Sequence, residues 1–252
     1  MNKQNDDFSL DSVQAGNIWQ KIWEKKGRRD IPFTEEARIQ ALMEINAWKG
    51  AIGNTSVQMM KNTVERIRRM LDIDERASLL DLGCGCGLIY YIMQPRPRHY
   101  LGIDYAKSSI EVAQQLGLPG SFVCCEAIDF PYTPNSFDAV LSLGVFLYFP
   151  SHDYAARVLE RMVDAMKPGA KALILDIPDQ ATREAREQAR QGNMTAEEYA
   201  QRYQGLPHLY FCKSWFVQQL DRLNCKTSFV DFFDENYTYD GLIFNVLFEK
   251  MA

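Results

Sequence analysis

Residues 79–92 read LLDLGCGCGLIYYI: an apolar run, then three glycines and two cysteines within five positions, then a helix-forming stretch. A strand that ends in glycines and passes straight into a helix makes a pocket for a nucleotide-like ligand. The bare backbone permits close approach, and the helix start offers free N–H groups. Such a turn also serves simply to pack a helix on a sheet. A second group adds to the signal. Asp104 ends the next strand-like run, LGID, at about the 20-residue offset where a carboxylate meets the hydroxyl pair of a ribose. The same aspartate can cap the following helix, KSSIEVAQQL, and the two roles are compatible. A dinucleotide loop wants Gly or Ala three positions after its second glycine. Leu88 stands there and the third glycine is Gly87, which disfavours NAD.

The other reactive side chains are less ordered in their spacing. Cys84 and Cys86 lack the two-residue gap of a zinc pair, and no second cysteine or histidine pair at zinc spacing completes a site. Adjacent cysteines in a strand, Cys124 and Cys125, point to opposite faces. With Cys212 and Cys225 they make six in 252 residues, which does not read as a disulfide framework. No metal site is expected. Of three histidines, His99 begins a strand and His152 begins a helix, which suits capping or exposure. His208, in QGLPHLYFCKS, is either the best general-base candidate or an ordinary loop histidine. Tyr148 and Tyr210 either line an acceptor pocket or pack.

Helices and strands must hold these groups. Residues 1–76 read as helical. Ile18 with Ile22 and Trp19 with Trp23 lie four apart on neighbouring helical rows. Thr34 before Glu35 and Glu36 is a helix start, and Asn54 or Thr55 can cap a helix whose Val57, Met60, Val64, Ile67 and Leu71 share one face. From residue 77 short apolar runs, SLLDL, HYLGID, SFVCC, FDAVLSL and AKALILDI, alternate with helical stretches at 87–94, 107–116 and 151–166. That alternation predicts parallel strands with crossover helices, a doubly wound α/β sheet. Residues 179–212 form an insertion that opens with a charged helical stretch broken at Gly192 and Asn193. Ser214 caps WFVQQLDRL, and TSFVDFF and GLIFNVLFEK end the chain as two antiparallel strands.

LLDLGCGCG followed by LGIDYA resembles motif I and the next acidic motif of the class I S-adenosylmethionine-dependent methyltransferases. FVCCEAIDFPYTPNSFDAVLSLGVFLYF is similar to that family's next stretch, and MKPGAKALI resembles its Lys-Pro-Gly turn into strand five. The resemblance covers about residues 77–177. It implies a Rossmann-like fold with a seven-stranded, mostly parallel sheet and an antiparallel last strand, residues 1–76 forming a helical cap on a domain over 77–252. It also implies roles. Asp81 and the backbone of Gly83, Cys84 and Gly85 hold the methionine moiety of the cofactor. Asp104 takes the ribose, Tyr105 lies against the adenine, and Glu126, Ala127 and Ile128 contact the base. Glu126 stands where the family has Asp. Leu143, Gly144 and Phe146 border the methyl group. In many relatives an N-terminal helix closes over the donor, so Trp19, Trp23 and Lys26 belong either to a lid or to the core.

The formal charge of −5 and the absence of a basic stripe point away from nucleic acid. No apolar stretch spans a bilayer and the first residues lack a signal-peptide core, so a cytoplasmic protein is expected. The expectation is therefore methyl transfer to a small-molecule acceptor, O-methylation ahead of N-methylation, with no nucleic-acid or membrane partner and the oligomeric state open. A non-catalytic S-adenosylmethionine-binding regulator is the alternative, and a dinucleotide-dependent oxidoreductase the more distant one.

Overall fold

The computed structural model describes residues 19–26, 31–48, 55–233 and 237–252. Ile18 and Asn54 lie outside the described residues. The helical N-terminal part contributes α1 (residues 19–26), α2 (Glu35–Ile45) and α3 (Val57–Met70). Thr34 is the N-cap of α2, although its side chain makes no capping bond. The cap of α3 is Ser56, whose hydroxyl accepts from the Met59 amide at 3.1 Å. That is one or two residues after the expected positions, because any small polar residue just before the apolar face can serve.

Then β and α alternate: β1 (Ser78–Leu82), α4 (Leu88–Ile92), β2 (His99–Asp104), α5 (Lys107–Gln115), β3 (Ser121–Cys124), β4 (Phe137–Leu143), α6 (His152–Ala165) and β5 (Met166–Pro178). The insertion folds as α7 (Arg183–Gln191) and α8 (Ala196–Tyr203), separated at Gly192, with Thr195 and Glu198 forming a capping box on α8. Helix α9 (Lys213–Arg222) starts one residue before the expected Ser214, which sits in its first turn behind Cys212. Strands β6 (Cys225–Phe229) and β7 (Ile243–Lys250) complete a seven-stranded sheet in the order β3-β2-β1-β4-β5-β7-β6. All neighbours in it are parallel except β7, which runs antiparallel to β5 and β6.

Every residue of β1 is buried, as a central strand covered on both faces must be. Its alternation divides the core. Leu79 joins α2, α3, α4 and α5 on one face, while Leu80 and Leu82 join α6 and α9 on the other. The helices α2 and α3 therefore share a continuous core with the sheet, through Leu42, Met43, Met60 and Ile67. The chain order reverses between β1 and β4. A ligand crevice is expected outside the carboxyl ends of those two strands, and the cavity described next opens there.

Candidate active site

A cavity of about 340 Å³ lies at the carboxyl ends of β1, β2, β4 and β5. Its floor is the glycine turn. Gly83 has φ +79°, and a Cβ there would stand 2.2 Å from Val145 Cγ2. Gly85 has φ +54°, and a Cβ would stand 2.4 Å from Asn46 Oδ1. Side chains at either position would collide with groups that close the turn from the other side. The turn's amides are engaged within the protein. Gly83 and Cys84 both donate to the Ile103 carbonyl (2.8 and 2.9 Å), and Gly85 donates to Asp104 Oδ2 at 2.9 Å. These N–H groups position the turn instead of pointing freely into the cavity.

Asp104 also accepts from the Ala106 amide through Oδ1 at 2.8 Å. It thus closes the turn at the head of α5 while lining the cavity. Neighbouring Asp81 is almost fully buried and accepts from the Tyr100 hydroxyl at 2.8 Å. Burial pushes the Asp81 carboxyl up to about 7, against the lowering effect of Tyr100, and pushes Asp104 up to about 6, against its two backbone bonds. Tyr105, Ala127 and Glu126 line the same end. The Tyr105 hydroxyl is buried without a hydrogen-bond partner, and Glu126 Oε2 accepts from Tyr154 at 3.1 Å.

The opposite end is aromatic. Gly144 leads into a 3₁₀ turn at Phe146–Tyr148. Residues three apart eclipse in such a turn, so Val145 and Tyr148 share the face toward the cavity. Phe146 is rotated into the core against Phe149, Phe211 and Phe216, away from the place expected for it beside the methyl group. Above Tyr148 sits α1. Trp19 and Trp23 meet the Tyr148 ring at 4.7 and 5.8 Å, and His208 stacks on Trp19 at 5.4 Å. The helix is fastened at both sides of the cavity. Gln20 donates to the Tyr105 carbonyl at 3.0 Å, Trp19 Nε1 to the Pro207 carbonyl at 3.4 Å, and Glu24 accepts the Lys107 and Ser108 amides at the start of α5 (2.6 and 3.0 Å). Lys26 lies over the Trp23 ring at 4.2 Å.

Of the residues singled out in the sequence, the cavity gathers Asp81, Gly83, Cys84, Gly85, Asp104, Tyr105, Glu126, Ala127, Leu143, Gly144, Tyr148 and Trp23. It does not gather Ile128, Phe146, Trp19, His208 or Tyr210. His208 is buried behind Tyr148, where desolvation and then Arg190 and Arg186 hold its imidazole well below the ordinary range, and its Nδ1 has no partner. The Tyr210 hydroxyl donates to Glu187 at 2.6 Å and holds the insertion together. All six cysteines are free, and Cys84 and Cys86 are buried thiols pushed up by desolvation. Among the described residues no cluster of acids, cysteines and histidines is arranged to hold a metal, and no helix is long and apolar enough to cross a membrane.

Sequence reading missed several lining residues with polar or aromatic side chains, among them Asn46, Trp48 and Asp176. Asn46 and Trp48 follow α2 and reach the cavity by tertiary docking, which leaves no local signal. Asp176 did leave one, an acid at the carboxyl end of a central strand, the same signal that singles out Asp104.

The parallel sheet, the glycine turn at its switch point and the acid on the adjacent strand define a class of Rossmann-like, nucleoside-cofactor domain. Residues 80–174 match the family described as a methyltransferase domain. Over those residues the chain resembles the class I S-adenosylmethionine-dependent methyltransferases in sequence as well as in fold, and the cofactor of that family is S-adenosylmethionine. Among curated proteins, it is 30% identical over 110 residues to mouse "Probable tRNA methyltransferase 9B", covering 43% of this chain and 24% of that one. It is 34% identical over 107 residues to the ubiquinone biosynthesis O-methyltransferase of Chromobacterium violaceum, covering 38% and 45%. The chain thus spans less than half the length of either relative. Among solved structures, the Haemonchus contortus phosphoethanolamine N-methyltransferase 1 superposes with a TM-score of 0.68 at 14% identity, over 99% of this chain and 52% of that one. This likeness is one of fold.

The tRNA methyltransferase relative corrects one expectation. An acidic net charge does not exclude nucleic acid for this chain. Net charge sums the whole surface, whereas an RNA contact needs only a local patch.

Proposed function

We propose that the chain transfers the sulfonium methyl of S-adenosylmethionine to a small-molecule acceptor admitted beneath α1, with a hydroxyl as the preferred acceptor group. The observation that carries this reading is the roof of the cavity. Trp23 and Tyr148 line its methyl end, backed by Trp19 and His208 in one aromatic cluster, and hydrogen bonds fasten α1 to both rims. Such an enclosure excludes water from a displacement at carbon and places aromatic faces near a cationic donor. In the donor half, Asp104 meets the ribose and Asp81 the methionine ammonium, with Tyr105, Ala127 and Glu126 around the adenine. The hydroxyl preference is supported by the Chromobacterium violaceum relative, itself an O-methyltransferase. A second reading, an RNA acceptor, is favoured by the mouse relative. It requires α1 to lift, so that a single base can enter.

The test has two stages. Calorimetry of the purified protein with S-adenosylmethionine, S-adenosylhomocysteine and NAD should show micromolar binding of the first two and none of the third. Tritiated methyl transfer from S-adenosylmethionine is then measured into a small-metabolite extract and into total tRNA and rRNA. Label in the small-molecule fraction alone supports the first reading, and label in RNA replaces it with the second. Donor binding with label in neither leaves the non-catalytic, donor-binding alternative.

A further inference from the structure

The cavity wall contains a carboxylate that the donor does not account for. Asp176, two residues before the end of β5, has φ +60°, the left-handed region that a residue with a Cβ seldom enters. The distortion is held in place. Pairing of β5 with β7 slips between Ile174 and Ile177, and the Asp176 amide donates to Asn245 Oδ1 at 3.0 Å from β7, whose Nδ2 in turn donates to the Val230 carbonyl at 3.2 Å. A β-bulge next to a site re-aims a side chain. Here it aims the carboxyl into the cavity, where Oδ2 stands 3.6 Å from the Cβ position of Gly144, at the end of β4.

Its surroundings are unfinished. Asp176 is buried, and Oδ1 has no hydrogen-bond partner. The nearest cation is Arg186 of α7, whose Nη2 lies at 3.6 Å, too far for a hydrogen bond. Arg186 is itself 1% exposed, with Nε and Nη1 unpaired, and its guanidinium rests on the Tyr239 ring at 4.4 Å. The Tyr237 hydroxyl, also buried, faces the same carboxylate and lowers its pKa without closing a well-formed hydrogen bond. Buried polar groups find close partners in folded proteins, and a strained residue whose carboxylate is met only loosely, by Arg186 and Tyr237, marks a place where a ligand completes the set.

We infer that Asp176 is the acceptor's partner: its carboxylate receives the hydrogen of a hydroxyl or amine acceptor, aligns that atom on the donor methyl and takes its proton. The acceptor lone pair forms the new bond to the methyl carbon. The carbon–sulfur bond breaks with its electron pair going to sulfur, which leaves a neutral thioether, and the acceptor's proton ends on Asp176. Arg186 is a positioning residue that favours the ionised carboxylate before transfer. This inference rests on the donor assignment proposed above.

The test uses two donor-site ligands and needs no acceptor. Sinefungin carries an amine where S-adenosylmethionine carries its sulfonium methyl, so a carboxylate facing that point favours sinefungin over S-adenosylhomocysteine. Titration calorimetry of wild type and Asp176→Asn with both should show S-adenosylhomocysteine affinity within about twofold and a loss of sinefungin affinity of roughly tenfold or more. Equal losses, or none, would overturn the inference. If neither ligand binds wild type, the donor assignment fails instead. Asp176→Gly guards against a folding artefact. It accepts φ +60° without strain but leaves Arg186 without its nearest counter-charge, so the folded variant should show the same selective loss whatever its melting temperature.

Discussion

Asp104 shows how one side chain combines folding with recognition. Its two oxygens tie the glycine turn to the start of α5 through Gly85 and Ala106, at 2.9 and 2.8 Å. The oxygens retain further acceptor capacity toward the cavity. Replacing it by alanine removes both backbone ties and the proposed ribose contact. Charge-assisted hydrogen bonds are each worth about 1.5–3 kcal/mol, so Asp104→Ala should weaken S-adenosylhomocysteine binding by tenfold or more in calorimetry. Affinity within about twofold, roughly 0.4 kcal/mol, would remove the ribose assignment. At this scale the sequence was informative wherever spacing along one strand–turn–helix unit decided the outcome, as for Asp81 and Asp104. It was misleading at Phe146, because one 3₁₀ turn decides which of four consecutive residues faces inward. Nothing in the local pattern FLYF separates that turn from an α-helical one.

Among the elements, α1 covers one end of the crevice through Trp23. Helix α5 begins with Ala106 at its N-cap, a residue with no capping group, and Glu24 of α1 supplies the missing acceptor to Lys107 and Ser108. A lost N-cap costs about 1 kcal/mol, and a carboxylate at a helix's positive end adds to that. Glu24→Ala should lower the melting temperature by roughly 2–4 °C and speed dissociation of S-adenosylhomocysteine in stopped flow, since α1 then has one fewer fastening. Thr195→Ala is the control. It breaks the capping box of α8 at similar cost and should loosen hydrogen exchange in that helix, with donor kinetics unchanged. The alternation of strands and helices was legible because burial on both faces of a parallel sheet forces continuous apolar runs. The docking of α1 across α5, and of Asn46 onto the turn, was not. Such contacts join residues 40 or more positions apart, and their individual polar groups look like ordinary surface.

Taken as a whole, the molecule carries a buried carboxylate and a half-buried one on adjacent strands, Asp81 held near 7 and Asp104 near 6, in each case chiefly by desolvation. Both ionise at about 4 in an unfolded chain. Between those values the folded protein without ligand keeps protons that the unfolded chain has released. Its stability therefore falls as pH rises through the window. From pH 5 to 8 the pair accounts for a loss of roughly 4 kcal/mol. Asp176, also raised by burial, adds in the same sense. His208 opposes them. Its imidazole is held well below the ordinary range by desolvation, so the unfolded chain binds a proton below about 6.5 that the folded one refuses, which works in the other direction. The carboxylates win, and the melting temperature should drop by several degrees between pH 5 and 8. Glu65, drawn down to about 2 by Arg68 and Arg69, titrates below this window. The proposed donor binding has the reverse sign, because an ammonium pairs with an ionised carboxylate and hydroxyls donate more strongly to one. The thermal shift produced by S-adenosylhomocysteine should therefore grow over the same range in which the unliganded protein weakens. Differential scanning fluorimetry at six or so pH values, with and without the ligand, reads both trends. A ligand shift independent of pH would mean that Asp81 and Asp104 are already ionised at pH 5, and that the burial assigned to them does not set their charge.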